Sequence, residues 1–357
     1  MTRIRTHVTG LLLLWMASTS TALAQQAPSV DVTRLGPQVG ERIADFRLTD
    51  QAGATRTRDS LMGPNGLMLV FSRSADWCPY CKTQLVELQS RLPVLREQGL
   101  GVAVITYDST AVLADFSRRR GITFPLLADP GSNAIKAYGI LNTTVDLASR
   151  NYGIPFPGTF IVNRQGIVTS RFFEAAYQER NTVASILLKL GGRGGDINAR
   201  RITTDHLEAT TYLSDPVAAP GTIFSVIADV VPGPGMHLYA PGAHTYRVVR
   251  IDVDPKPSLV TRPLQYPASE IYLFEPLNER VEVYQKPFRL ALDLSLSAAP
   301  EARKALAALS EMTITGTLEY QACSDTICYL PQRIPLSYTI GVRPLDTERS
   351  GVAGASP

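Results

Sequence analysis

Long apolar runs, net charge and histidine are scarce in this 357-residue chain, and each shortage excludes something. Beyond the first 24 residues no segment is long and apolar enough to cross a bilayer. The formal charge of +3 gives no reason to expect nucleic acid or a membrane surface as a partner. Between residues 25 and 200 there is no histidine, and Cys78 and Cys81 are the only cysteines. A zinc site, which needs two further ligands, is therefore not available there. Nucleophile triads, phosphate-cradling glycine loops and paired catalytic carboxylates are missing as well, and nothing in the sequence calls for a cofactor.

What remains is ordinary globular composition, 45% hydrophobic and 19% charged, at a length that suits two domains with a core each. Arg3 and Arg5 precede an apolar run over residues 11–17, and Ala22-Leu23-Ala24 offers a cleavage site before Gln25. Residues 1–24 therefore read as a signal peptide and the mature protein as soluble and periplasmic, with no cysteine placed for a lipid. All four cysteines fall in the mature chain as two close pairs, Cys78 with Cys81 and Cys323 with Cys328, in a compartment where disulfides persist.

The rest is organised around Trp77-Cys78-Pro79-Tyr80-Cys81. Residues 68–71 read as a buried strand, and Cys81, Leu85, Leu88, Leu92 and Leu95 recur at helical spacing. The junction puts Cys78 in a first helical turn, where unpaired N–H groups and the helix dipole favour the thiolate. Pro79 suits that turn, having no N–H to leave unsatisfied. Cys81 lies on the leucine stripe, so it is expected to be buried and less acidic. That makes one exposed attacking thiol and one resolving thiol, the asymmetry of thiol-disulfide exchange. A structural disulfide is the competing reading, but so short a loop removes only about 2 kcal/mol of chain entropy.

Strand and helix patterns alternate over residues 36–190, which predicts a sheet with helices on its faces. They include a strand at 101–107, a helix from Thr110 to a solvated basic end at Arg118-Arg119-Arg120 stopped by Gly121, and a strand opened by Pro157. With Trp77 to Lys82 and Pro157-Gly158-Thr159-Phe160, the domain resembles a thioredoxin fold of the exported alkyl hydroperoxide reductase and thiol-specific antioxidant branch. The resemblance implies that Cys78 and Cys81 are catalytic. It also implies that Pro157 is cis and helps hold substrate backbone, a bond costing about 0.5 to 1 kcal/mol. Trp77, Pro79, Tyr80, Phe156 and Pro157 are the expected substrate-binding residues.

Two departures shape the chemistry. Ser72 stands where thioredoxins carry a buried acid, so Lys82, Asp76 or water is left to deprotonate Cys81. Ala75, Phe71 and Pro157 stand where peroxiredoxins place the threonine, proline and arginine that polarise a peroxide, which makes peroxidase activity the lesser reading. Pro79-Tyr80 resembles the glutaredoxin dipeptide and implies a potential above about −270 mV.

Residues 191–202, glycine-rich, read as a flexible tether spanning about 16 to 19 Å and letting the domains meet. From 203 to 342 short alternating strands predict an all-β sandwich with one helical insertion at 300–309; residues 343–357 are expected to be a flexible tail. Cys323 shares phase with Thr313, Thr315, Thr317 and Glu319, so it is expected to face away from the core, with Cys328 opposite it after a turn. The segment from Tyr320 to Pro331 resembles the redox loop of the N-terminal domain of the thiol-disulfide interchange protein DsbD, an immunoglobulin-like fold. The resemblance implies that this pair exchanges electrons too, with Cys328 engaging the partner and a cap loop, here 274–278, shielding the pair. His206, His237 and His244 match no compact zinc spacing with these cysteines and read as surface or loop residues; no metal is expected.

The expected activity is thus thiol-disulfide oxidoreduction between Cys78-Cys81 and protein disulfides. Partners are exported proteins with disulfides or thiols, an external electron donor, and the second pair by intramolecular relay. A thiol peroxidase and a non-enzymatic binding module with structural disulfides are the alternatives.

Overall fold

The computed structural model describes residues 30–192, 197–274 and 278–352; the leader lies outside them. Strands β1 (Arg47–Asp50), β2 (Thr55–Thr57), β3 (Gly66–Phe71), β4 (Leu100–Thr106), β5 (Leu126–Ala128), β6 (Gly158–Val162) and β7 (Val168–Phe173) form one sheet. Their order is β2-β1-β5-β4-β3-β6-β7. At its centre β3 runs parallel to β4 and antiparallel to β6, and all six of its residues are buried. A strand covered on both faces reads as an unbroken apolar run, and Leu67 to Phe71 is one.

Helices α1 (Arg58–Leu61), α2 (Pro79–Ser90), α3 (Leu92–Glu97), α4 (Thr110–Arg120), α5 (Asn133–Ala137) and α6 (Val183–Lys189) flank this sheet. Gly121 ends α4 in the left-handed conformation at φ 63°, as its place behind three arginines predicts. Leu85, Leu88, Leu92 and Leu95 join Met68, Val70 and Val104 in a core on one side; Leu67, Leu69, Phe71 and Ile105 build a second core on the other.

The second domain comprises β9 (Ile197–Thr203), β10 (Leu207–Leu213), β11 (Val217–Ala218), β12 (Thr222–Pro232), β13 (His237–Tyr239), β14 (Arg250–Val253), β15 (Leu259–Thr261), β16 (Glu270–Phe274), β17 (Glu279–Tyr284), β18 (Phe288–Leu296), β19 (Glu311–Tyr320), β20 (Ala322–Cys323) and β21 (Gln332–Val342). Sheets β15-β18-β12-β10-β9 and β11-β21-β19-β14 enclose one core that includes Phe224, Leu292, Leu294, Leu318 and Tyr338. The small sheet β16-β17-β13-β20 lies beside them. This is a sandwich of the immunoglobulin-like class, and α7 (Pro300–Leu306) is its helical insertion.

Four expectations are corrected. Residues 197–202 are strand, not tether: β9 pairs with β10 across Ile202 and Ala209. Nor are the domains free of each other. A two-residue strand of the first, β8 (Arg180–Asn181), pairs in parallel with Thr222 and Ile223 of the second. Ion pairs Arg262–Glu179 at 2.8 Å and Lys189–Asp293 at 2.8 Å flank it. Helix α6 buries apolar residues on two sides: Val183, Ile186 and Leu187 enter the first core, while Leu188 meets Tyr212 and Ile227 of the second, and Ser185 and Lys189 form a polar edge on Asn181.

Residues 343–350 are not a free tail, since they lie against the first domain through several ion pairs. Finally, no peptide bond among the described residues is cis, Pro157 included. The extended approach to β6, with the Phe156 N–H donating to the Ile140 carbonyl at 2.7 Å, accommodates the ordinary trans isomer.

Candidate active site

Cys78 is the N-cap of α2 and Pro79 its first residue, so the pair stands where β3 hands over to the helix. The Cys81 N–H donates to Cys78 Sγ at 3.3 Å, and the two sulfurs are joined in a disulfide. Cys81 is fully buried, as its place on the leucine stripe predicts. Cys78, expected to be exposed, is only 1% exposed. The reason lies outside the motif: Ala298, just before α7, and Leu345, just beyond β21, pack with Trp77 against the small cluster formed by Cys78, Tyr80 and Cys81.

The expected substrate-binding residues are in part already occupied. Trp77 is half-buried and donates from Nε1 to the Tyr107 hydroxyl at 2.7 Å. Tyr80 is buried edge-on to Tyr177, with the Arg303 charge of α7 acting on its hydroxyl. Pro79 and Phe156 are half-buried, and Pro157 is buried at the start of β6.

Two residues missed in the sequence stand next to the pair. Arg180, in β8, is buried and directs a guanidinium nitrogen to within 3.7 Å of Cys81 Sγ. Burial pulls its pKa down to about 9, yet it stays cationic at neutral pH. A cation there favours the Cys81 thiolate, opposing the acid-weakening effect of burial. Nothing in Gln178-Glu179-Arg180-Asn181 distinguishes this arginine from a polar loop; docking on β12 is what buries it.

Asp108 follows β4 and anchors the approach to the motif, accepting from the Ser74 hydroxyl at 2.8 Å and the Ala75 N–H at 2.7 Å. Burial pushes its carboxyl up to about 6 against those hydrogen bonds. A signal for it existed, since the carboxyl ends of neighbouring parallel strands are where such sheets collect their functional groups.

The remaining candidates are committed elsewhere. The Ser72 hydroxyl is buried without a partner among the described residues. Lys82 and Asp76, put forward to deprotonate Cys81, are buried and paired with residues 346–350. Burial pulls the Lys82 pKa down, only partly offset by Asp346 and Asp76. For Asp76 burial pushes up, but hydrogen bonds from Arg349 and Ser350 outweigh it and hold the carboxyl below its usual range.

The second pair is also a disulfide, closing the connection between β19 and β21. The alternation argument puts Cys323 on the face away from the main core, and there it is. It is nonetheless only 1% exposed, because β20 pairs with β13 and a second small cluster of Tyr239, Val281 and Val283 covers it. Cys328 is exposed. The Tyr239 hydroxyl lies 3.0 Å from Cys323 Sγ and 3.5 Å from Cys328 Sγ, and its ring stacks on Tyr246.

His237 is corrected from a surface or loop residue to a buried strand residue, stacked on Tyr272 with ring centroids 4.4 Å apart. Burial pulls its pKa below the usual value, against the pull of Asp325. His206 and His244 are half-buried in loops. Of the suggested cap at 274–278, Phe274 lines the hollow over the disulfide, while residues 275–277 lie outside the described residues. Among the described residues no group of three metal-ligating side chains converges.

The two pairs sit at opposite ends of the sandwich. Strands β19 and β21 run side by side from Tyr320 opposite Gln332, next to Cys323 and Cys328, to Glu311 opposite Gly341, next to the segment that covers Cys78. At about 3.3 Å per residue this separates the disulfides by on the order of 30 Å. In this arrangement the two disulfides lie in separate clusters and do not touch.

Comparison with known proteins divides the chain in the same way. Residues 39–171 match the AhpC/TSA family, and residues 210–336 match the family described as "Thiol:disulfide interchange protein DsbD, N-terminal". The chain is 29% identical over 175 residues to alkyl hydroperoxide reductase E of Mycobacterium tuberculosis, covering 48% of this chain and 97% of that protein. It is 24% identical over 132 residues to thiol-disulfide oxidoreductase ResA of Bacillus cereus, covering 37% of this chain and 67% of that one. Among solved structures, peroxidoxin BcpB from Mycobacterium tuberculosis aligns with a TM-score of 0.37 at 21% identity, over 40% of this chain and 89% of that chain.

Proposed function

Since the chain joins an AhpC/TSA-family domain to a DsbD N-terminal domain, we propose that it is a periplasmic thiol-disulfide oxidoreductase acting on exported proteins. The observation that carries this reading is the Cys78–Cys81 disulfide at the start of α2 with the Arg180 guanidinium beside its inner sulfur. In the reduced enzyme the Cys78 thiolate attacks a substrate disulfide, forming a mixed disulfide and expelling one substrate thiolate. Cys81, its thiolate stabilised by Arg180, then attacks Cys78 Sγ and releases the second. Two electrons pass to the substrate, and an external dithiol donor restores the pair. No described helix is long and apolar enough to cross a membrane.

The Cys323–Cys328 disulfide is a second exchange station, entered through the exposed Cys328. Electrons pass between the stations through a partner protein or a second copy, or after the domains separate.

A Cys81→Ser variant should accumulate mixed disulfides through Cys78, seen as covalent adducts by mass spectrometry, and Cys78→Ser should form none. Equal adducts in both would sink the assignment. The similarity to alkyl hydroperoxide reductase E supports a second reading, peroxide reduction by Cys78. Its test is steady-state peroxide turnover that disappears in Cys78→Ser. Against it, the three positions that would polarise a peroxide are Phe71, Ala75 and Pro157, all buried and none with a side-chain hydrogen-bond donor.

A further inference from the structure

Two buried charges beside the redox pair partly offset each other but take their side-chain hydrogen bonds and ion pairs from outside the first domain. Lys82 follows Cys81, Asp76 precedes Trp77, and neither reaches solvent. A buried charge left unpaired is strongly destabilising. Both find their partners in the last described stretch of the chain. Arg349 clamps Asp76 from two nitrogens at 2.9 and 2.6 Å, and the Ser350 N–H adds a third bond at 2.6 Å. Lys82 Nζ lies 3.6 Å from the Asp346 carboxylate and donates to the Glu348 carbonyl.

Arg120 holds Asp346 at 2.6 and 3.0 Å and also reaches the Glu348 carboxylate. The Asp346 N–H donates to the Thr83 hydroxyl at 3.2 Å. Just before these anchors Leu345 packs against the cluster of Cys78, Tyr80 and Cys81. Residues 343–350 therefore cross the start of α2 with no helix or strand of their own, making backbone, charge and apolar contacts at once.

We propose that residues 343–350 fill the groove through which Cys78–Cys81 receives its protein substrate, and that this substrate is an extended acidic segment. It would present an apolar side chain over the disulfide, a carboxylate just after it for Lys82 and Arg120, a second carboxylate two residues on for Arg119 and Arg120, and then a cation for Asp76. The proposal rests on the oxidoreductase reading above. A sulfur attacking Cys78 has to displace Leu345, and displacement strips the partners from Lys82 and Asp76. A chain that restores those pairs in order recovers the loss; one with the wrong charges leaves them covered and unmatched. The covalently linked tail competes at an effective concentration on the order of millimolar, so it holds back weak partners and yields to matched ones.

The test compares the full chain with two variants, one ending at Val342 and one full-length with Asp346→Lys and Arg349→Glu. One rate is the opening of Cys78–Cys81 by dithiothreitol, which becomes its ring disulfide; alkylation mapped by mass spectrometry separates it from the second pair. The other is turnover of a protein disulfide with dithiothreitol as donor. Both rates should rise about tenfold in both variants, the loss of a competitor at millimolar effective concentration. A synthetic peptide of residues 343–352 should slow both in the truncated protein, competitively with the protein substrate, whereas the charge-reversed peptide should not. Unchanged dithiothreitol rates in both variants overturn the proposal. So does faster opening without inhibition by the peptide, which makes the segment a cover but not a substrate mimic. Dithiothreitol rates that respond while no form turns over protein disulfides show instead that the oxidoreductase reading fails, and the acidic-substrate assignment falls with it.

Discussion

Arg180 and the two unequal sulfurs of the second pair carry the residue-scale consequences. Replacing Arg180 with Met removes the cation 3.7 Å from Cys81 Sγ. A loss of one pKa unit of thiolate stabilisation leaves roughly tenfold less thiolate, and the greater nucleophilicity of the more basic sulfur returns about threefold, so release of the mixed disulfide should slow by roughly threefold. The pH midpoint of Cys81 alkylation in the opened enzyme should move upward, and Arg180→Lys should restore part of both. For the second pair, Cys328 is exposed and Cys323 is not. A Cys323→Ser variant is expected to form mixed disulfides with small thiols and partner proteins readily, and Cys328→Ser to form few. Comparable adduct yields would contradict this division of labour. Cys81's depth and the outward phase of Cys323 were both legible in side-chain spacing, because periodicity reports which face a residue takes. The covering of Cys78 was not legible, because Ala298 and Leu345 reach it from positions more than 200 residues away.

Among the elements, α2 does more than present cysteines. Glu87, on its second half, accepts from the Val183 N–H of α6 at 3.2 Å, close to Asp215 of the second domain. Burial, then the Asp215 charge, pushes the Glu87 carboxyl up to about 8. The docked state therefore holds a proton that the undocked state gives up at lower pH. Docking is strongest below the ordinary carboxylate pKa and weakens as pH rises from about 4.5 through about 8. Hydrogen-exchange protection factors across β8 and α6, corrected for the intrinsic pH dependence of exchange, should fall over that window, and Glu87→Gln should flatten that profile; an unchanged profile in that variant would assign the effect elsewhere. Element identities and most boundaries followed from pattern, including α4 with its glycine stop and the Pro300 insertion. What pattern missed are joints: a two-residue strand such as β8 has too few residues for any alternation, and its existence depends on β12 being there to pair with. Even so, α6 carried a clue, since Leu188 falls off the stripe of Val183, Ile186 and Leu187 and needs a second surface to bury it.

At the scale of the molecule, two disulfides are held apart by the length of β19 and β21. A Cys81→Ser, Cys323→Ser double variant leaves Cys78 and Cys328 single. Under mild oxidation it is expected to give no crosslink within one chain and only concentration-dependent crosslinks between chains. A concentration-independent Cys78–Cys328 bond would mean that the domains separate readily. The sheet that β8 enters belongs to both domains, and the covalent thread between them adds little to that union. A protease cut or a stop and restart of translation in the glycine stretch should then yield two fragments that co-purify as a heterodimer, each half completing its companion.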